Sequence, residues 1–428
     1  MDASTNPTNA APTDTQPQVQ PAWPPPEHHS RPYRAYLRLR HGPRRKPLGP
    51  GMALYLVAPI VAELCLGATP LLSYLFFGWV EVLMYGGGAI LIREAAIRWG
   101  KGWPTILTLG VAYAIAEEGI AVRTFFDPGA QALQGLGSYG WLGGANWVWI
   151  THLSLYHAIV SISIPIFLVT LAYPARRAES WVSDRWLKKA AAGFVGVELF
   201  WLIFYQRPVG GIYIIGSLVA IASLILIARR LPATFELPAW LDRSGATSGA
   251  VSGAVSGAVP GAVPGAVPGA ASGEPSAAGP APTPRRVVIV AFMATVGVFA
   301  IAFGRGFGFP WPVAVAGLLA IPAIAGTWFL RGSRRPGWTD RQRYAVAAGI
   351  FFFLPVLSPI IELTGGRFQV IVGAVTAWLI VRQWRRLRDR EGQTTALAID
   401  TRDGGRSASK RPAKYAAASA GSTNATEA

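Results

Sequence analysis

The sequence predicts an all-α fold, a polytopic transmembrane helix bundle of about ten spans with both termini cytoplasmic. Three observations carry that expectation. Hydrophobic residues make up 51% of the 428-residue chain and charged residues only 14%, a balance that suits helices facing lipid better than one water-soluble core. Apolar runs close to the roughly 20 residues needed to cross a hydrocarbon core recur along the chain. Between them, short basic connections alternate with nearly uncharged ones.

Residues 1–50 are rich in Pro, Thr, Gln and Ala and end in a basic stretch from Arg31 to Lys46, so they read as a disordered tail with a membrane-proximal basic end. The first apolar run starts near Gly51 and holds Pro59 and Glu63, which reads as a retained span and not a cleaved signal. Further runs at about 74–97, 103–122, 147–173, 188–205 and 209–228 complete a six-span part, 51–230. A stretch over 231–284 follows, in which Gly-Ala-Val-Ser repeats from Gly249 and the Ser becomes Pro at Pro260, Pro264 and Pro268; such a segment cannot build a core and reads as a tether. Runs at about 287–304, 309–330, 344–361 and 368–384 make a four-span part, 285–390, and the Ala/Ser/Gly-rich tail 391–428 reads as disordered. The two parts are expected to touch through their helices.

The basic connections are Arg98 with Lys101, Arg176 to Lys189, Arg229 with Arg230, Arg331 to Arg343, and Arg382 to Arg390. Under the positive-inside rule they place both ends of the chain in the cytoplasm, which requires an even number of spans. The net charge of +17 is thereby a matter of orientation and of contact with membrane lipids, and no nucleic-acid partner is expected. The expected location is the plasma (cytoplasmic) membrane. A single cysteine, Cys65, excludes an internal disulfide framework.

Ionisable groups inside a membrane cost about 2.5–3.5 kcal/mol each, so their positions are the first guide to function. Glu63, Glu81, Glu117, Glu118, Glu198 and Glu362 lie in or beside spans, and His152 and His157 lie in the fourth. Glu81 and Glu362 sit near span ends and read as groups wetted by the interface. Densest is Tyr113-Ala-Ile-Ala-Glu117-Glu118-Gly119, followed by Arg123. Adjacent helical residues point about 100° apart, so one glutamate can face a polar cavity while the other meets a neighbour or Arg123. Two carboxylates in a low dielectric also share a proton readily, as a general base requires. In the fourth span His157 shares an arc with Ser161, whereas His152 is turned away by about 140°. His157 is therefore the better candidate for the same cavity. Candidate catalytic residues are Glu117, Glu118 and His157, with Glu63, Glu198, Tyr113, Arg123 and Ser161 as supporting or ion-binding groups. The spacing leaves the metal and any cofactor undetermined. Carboxylates outnumber their possible partners, which include Arg207, Arg305 and Arg367, so protons or a cation must balance them. The loop 124–146, with Phe125-Phe126-Asp127-Pro128, is long enough to form a lid.

The Glu117-Glu118 pair followed by Arg123, with His157 on the next helix, resembles the CaaX-protease and bacteriocin-processing family of intramembrane peptidases over about residues 80–175. Four residues separate Glu118 from Arg123, where that family has three, and His157 is followed by Ser161 where it has Asn or a similar group. In composition the chain also resembles multi-pass membrane families of high-GC bacteria such as actinobacteria, which implies no activity. The family likeness implies hydrolysis of a peptide or lipid-linked bond, with a glutamate activating water and His157 as acid, base or ligand. Two other readings stay open: a proton- or cation-coupled carrier using the same carboxylates, and a non-catalytic scaffold or sensor in which polar groups only hold helices together. Protein partner and substrate are not legible.

Overall fold

The computed structural model describes residues 48–65, 69–130, 136–205, 209–235, 279–303, 308–363 and 368–408, with side chains through residue 392. Helices dominate, and the strand content among the described residues is one small hairpin, β1 (Trp141–Leu142) against β2 (Ala145–Asn146). In chain order the helices are α1 (Pro50–Pro59), α2 (Leu71–Glu81), α3 (Gly87–Arg98), α4 (Trp103–Ala114), α5 (Trp147–Tyr156), α6 (Ile164–Ala172), α7 (Asp184–Phe204) and α8 (Gly211–Arg230). They continue with α9 (Pro284–Ala302), α10 (Trp311–Ser333), α11 (Asp340–Phe351), α12 (Phe353–Leu363) and α13 (Gln369–Ala408). The last helix runs past the end expected at 390. Most of the repeat-bearing segment, 236–278, and the tails 1–47 and 409–428 lie outside the described residues, as do Arg207, Arg305 and Arg367.

Among the described residues, six helical stretches are long and apolar enough to cross a membrane: Leu71–Arg98, Trp147–Ala172, Gly211–Arg230, Pro284–Ala302, Trp311–Ser333 and Asp340–Leu363. The other expected spans are also helical, Pro50–Leu64 being a shorter apolar helix. Their ends follow local chemistry. Proline opens α4 and α9 at positions whose N–H would have no intrahelical partner. The Asn146 side chain accepts from the Trp149 N–H to cap α5, and Thr339 with Gln342 forms a capping box on α11. Gly100, at φ +64°, lets the chain turn sharply after α3, a conformation other side chains resist.

Close approach explains how these helices pack. A Cβ at Gly110 would stand 2.6 Å from the Ala158 Cα, so only glycine lets α4 lie directly on the helix that carries His157. The main core joins α1, α3, α4 and α7 through Leu54, Tyr85, Ile90, Tyr113 and Val197. The two parts of the chain meet through helices, with α5 packing on α9 and α10, and α6 on α11. In α3, Arg93 and Glu94 form an ion pair, Nη1 to Oε1 at 2.5 Å with both side chains buried. Glu94 also accepts from the Trp181 N–H at 2.8 Å, and Arg93 stacks 3.6 Å over the Trp181 ring, so this pair ties the loop before α7 to α3.

Candidate functional site

Four helices change winding at one level of the bundle. After α1 the chain makes a π-helical turn over Ile60–Leu64, after α2 over Val82–Gly86, after α4 over Ile115–Ala121 and after α5 over His157–Ser163. Hydrogen bonds from the Cys65 N–H to the Ile60 carbonyl (3.0 Å) and from the Val122 N–H to the Glu117 carbonyl (2.8 Å) show the i to i+5 pattern. These turns carry Glu63, Tyr85, the pair Glu117 and Glu118, and His157. A π turn winds more slowly than an α turn and re-aims the side chains on it, and such turns are frequent at functional sites.

The glutamate pair departs from the expectation that only one of the two faces a cavity. Glu117 and Glu118 both line one cavity of about 770 Å³, which also touches Glu63, Glu81, His152 and His157. The His157 ring lies between the two adjacent carboxylates. Its Nδ1 is 3.4 Å from Glu117 Oε2 and its Nε2 is 3.5 Å from Glu118 Oε1. These are ion-pair separations outside good hydrogen-bond geometry, and both ring nitrogens and Glu117 Oε2 are buried without a hydrogen-bond partner among the described residues. Each glutamate is held by its other oxygen. The Tyr85 hydroxyl donates to Glu117 Oε1 at 2.6 Å, and the Thr124 hydroxyl donates to Glu118 Oε2 while accepting from Trp149 Nε1 at 3.0 Å. The His157 ring is nearly parallel to Tyr85, 12° between planes, with Tyr113 and Tyr156 on other sides. Across the cavity Glu63 accepts from the Thr69 hydroxyl.

The structure therefore brings Glu63, Glu117, Glu118 and His157 together, and separates the other sequence candidates from the wall. Tyr113 packs its ring 5.7 Å from that of His157 from within the core, and Ser161 is fully buried one turn further along. Glu198, on α7, does not line the cavity. Arg123, in a left-handed conformation at φ 55°, donates to the Leu202 carbonyl and so ties the following loop to α7. Two expectations are corrected. His152 does line the cavity despite its 140° offset, because the space is elongated and the ring reaches its aromatic end, among Trp149, Phe299 and Phe303. Glu81 lines the cavity from within the helical stretch Leu71–Arg98, well away from the ends of that stretch. Glu362 instead accepts from the Phe368 and Val370 N–H groups and fixes the start of α13. Tyr85, Thr124, Trp149 and Tyr156 had no signal in the sequence, since a hydroxyl or indole in an apolar run marks nothing until its neighbour is known. Of the 124–146 loop, Phe125, Ala130 and Leu136 are buried on Trp149 and Leu153.

Glu117, Glu118 and His157 each offer a ligand atom within 4.8 Å of the others, so the trio could gather on a divalent ion after small rotations. The same separations suit a water held by two of the groups at about 2.8 Å each. No family model, curated protein or solved structure matches the chain.

Proposed function

We propose that this protein is a multi-pass membrane hydrolase, with about ten spans and both termini cytoplasmic, that cleaves a peptide or lipid-linked bond inside the polar cavity. The observation that carries the reading is the bracketing of His157 by Glu117 and Glu118 in a cavity of about 770 Å³. Buried ionisable groups gathered from separate helices are expensive, and a scaffold would not need both nitrogens of a buried imidazole turned to carboxylates. Of the two glutamates, Glu118 is more open to the cavity, at 12% side-chain exposure against 5% for Glu117. Glu118 is the general base: it takes a proton from a water whose oxygen attacks the carbonyl carbon of the scissile bond. His157, oriented by Glu117, passes a proton to the departing nitrogen or oxygen as that bond breaks, so that one water is added across it. Tyr85 and Thr124 keep each carboxylate turned toward the imidazole.

Hydrolysis in H₂¹⁸O tests this without knowing the substrate. Purified protein in nanodiscs is incubated with a membrane extract and with a peptide library, and mass spectrometry follows products carrying the heavy oxygen. Labelled products should appear with the native chain and fall by at least about 10²-fold with Glu118→Gln or His157→Ala. Equal labelling in native and variant reactions would overturn the assignment. The orientation is tested by reporter fusions at both ends, which should both report cytoplasm.

A further inference from the structure

We infer that the cavity and the groove beside it bind a cationic amphiphile, with an ammonium or guanidinium group between Glu63, Glu81 and the Glu117–Glu118 pair and a hydrocarbon arm along the groove. Naming this molecule as the substrate rests on the hydrolase reading; the binding itself does not. Charge comes first. Glu63, Glu81, Glu117 and Glu118 line one space, and among the described residues no lysine or arginine does. Glu117 is only 4% exposed, and its Oε2 meets the His157 Nδ1 at 3.4 Å without a hydrogen bond; Glu81 has a buried Oε2 and the 3% exposed His152 a buried Nδ1, neither with a hydrogen-bond partner among the described residues. Carboxylates this crowded in a low dielectric call for protons or a bound cation. The wall also carries the aromatic side chains Trp149, Trp201, Tyr156, Tyr205, Phe299 and Phe303, and aromatic faces attract organic cations more than they attract neutral groups of the same shape.

The groove supplies the second half. An apolar space of about 200 Å³ between α5 and the helices α9, α10 and α11 shares His152, Tyr156 and Phe299 with the acidic cavity, so the two adjoin at these three side chains. A dry cavity of about 150 Å³ takes a benzene ring, which scales this groove to a chain of about six carbons. Its remaining wall includes Val298, Pro322, Ala325 and Phe329, without a charged group. A molecule lying across both would place its cation beside the water-activating trio.

Calorimetry on the full chain in nanodiscs, with empty nanodiscs subtracted, tests the inference using hexylammonium, hexanol and hexanoate. Hexylammonium should bind at least about tenfold more tightly than hexanol, hexanoate should not bind, and affinity should rise about three- to fourfold per methylene from butyl- to hexylammonium. Glu63→Gln with Glu81→Gln should remove at least about tenfold of the affinity and release fewer protons on binding, and Gly326→Leu should cancel the chain-length dependence while sparing butylammonium. Should the double variant fail to fold, the comparison of ammonium with alcohol on the native chain decides. Equal affinity for hexanol, unchanged binding in the double variant, or displacement of the amine by millimolar Mg²⁺ or Ca²⁺ would overturn it. Loss of heavy-oxygen labelling alone, with amine binding intact, would strike the hydrolase reading and leave this one standing.

Discussion

Tyr85 is where a single atom separates catalysis from folding. Its hydroxyl donates to Glu117 from the core, and a hydrogen bond to a charged group contributes about 1.5–3 kcal/mol. Tyr85→Phe keeps the ring that packs against Tyr113 and His157, so the hydrolysis rate should fall by roughly 10- to 100-fold, with a thermal midpoint lowered only by the loss of that one bond. Thr124→Val should act in the same way on Glu118 and also leave the Trp149 indole N–H without its acceptor. A parallel measurement separates proton chemistry from metal chemistry. With Glu118 as the base and His157 as the proton donor, hydrolysis should survive dialysis against a strong chelator. Loss of rate restored by Zn²⁺ would assign the trio to a metal instead. At this scale the sequence was informative where polarity itself was anomalous. Glu117, Glu118, His157 and Glu63 stand out because charge inside an apolar run is costly. His152 was misplaced because the shape of the cavity, and not helix rotation alone, decides what lines it, and Glu81 because its helix starts at Leu71, further ahead of it than the apolar run suggested.

The four π turns belong to the scale of elements, and nothing in the residue pattern announced them. A π turn differs from an α turn by one hydrogen-bond register, and that choice follows from packing between helices instead of local propensity. The apolar runs were legible, since length and composition act locally. Gly110 offers a direct test of the packing that aims His157. Gly110→Leu places atoms against Ala158 and should destabilise the fold by about 1–3 kcal/mol, read as a lower thermal midpoint together with loss of activity. The contact between α3 and α7 has a pH signature. The Arg98 guanidinium pairs with Asp184, just after the loop held by Glu94, and keeps the Asp184 carboxyl below its ordinary value of 3.8. A lowered folded value means that the pair's contribution is present above about pH 4 and fades as pH falls through the folded value. The thermal midpoint of Asp184→Asn should therefore lie slightly below that of the native protein at neutral pH and converge with it in acid.

For the molecule as a whole, the decisive question is whether its two parts recognise each other without the segment that joins them. The sequence divides the chain by composition, and the described residues join the two parts through contacts of α5 with α9 and α10, and of α6 with α11. Phe299 and Phe303 of the second part also complete a cavity whose carboxylates all come from the first. What the sequence could not supply was that geometry, because no local pattern states which face of one helix meets another. If the helical contacts suffice, residues 1–235 and 279–428 expressed as separate chains should copurify from detergent-solubilised membranes and retain hydrolysis. The first part alone should lose most of it, since the aromatic end of the cavity would open to lipid. Linking normally raises the effective concentration of two partners to the millimolar range for a short flexible tether, so separated chains should assemble less completely but with unchanged turnover per complex. Failure to copurify would mean that the tether supplies assembly and not merely reach. Copurification without activity would place a catalytic contribution in the missing residues.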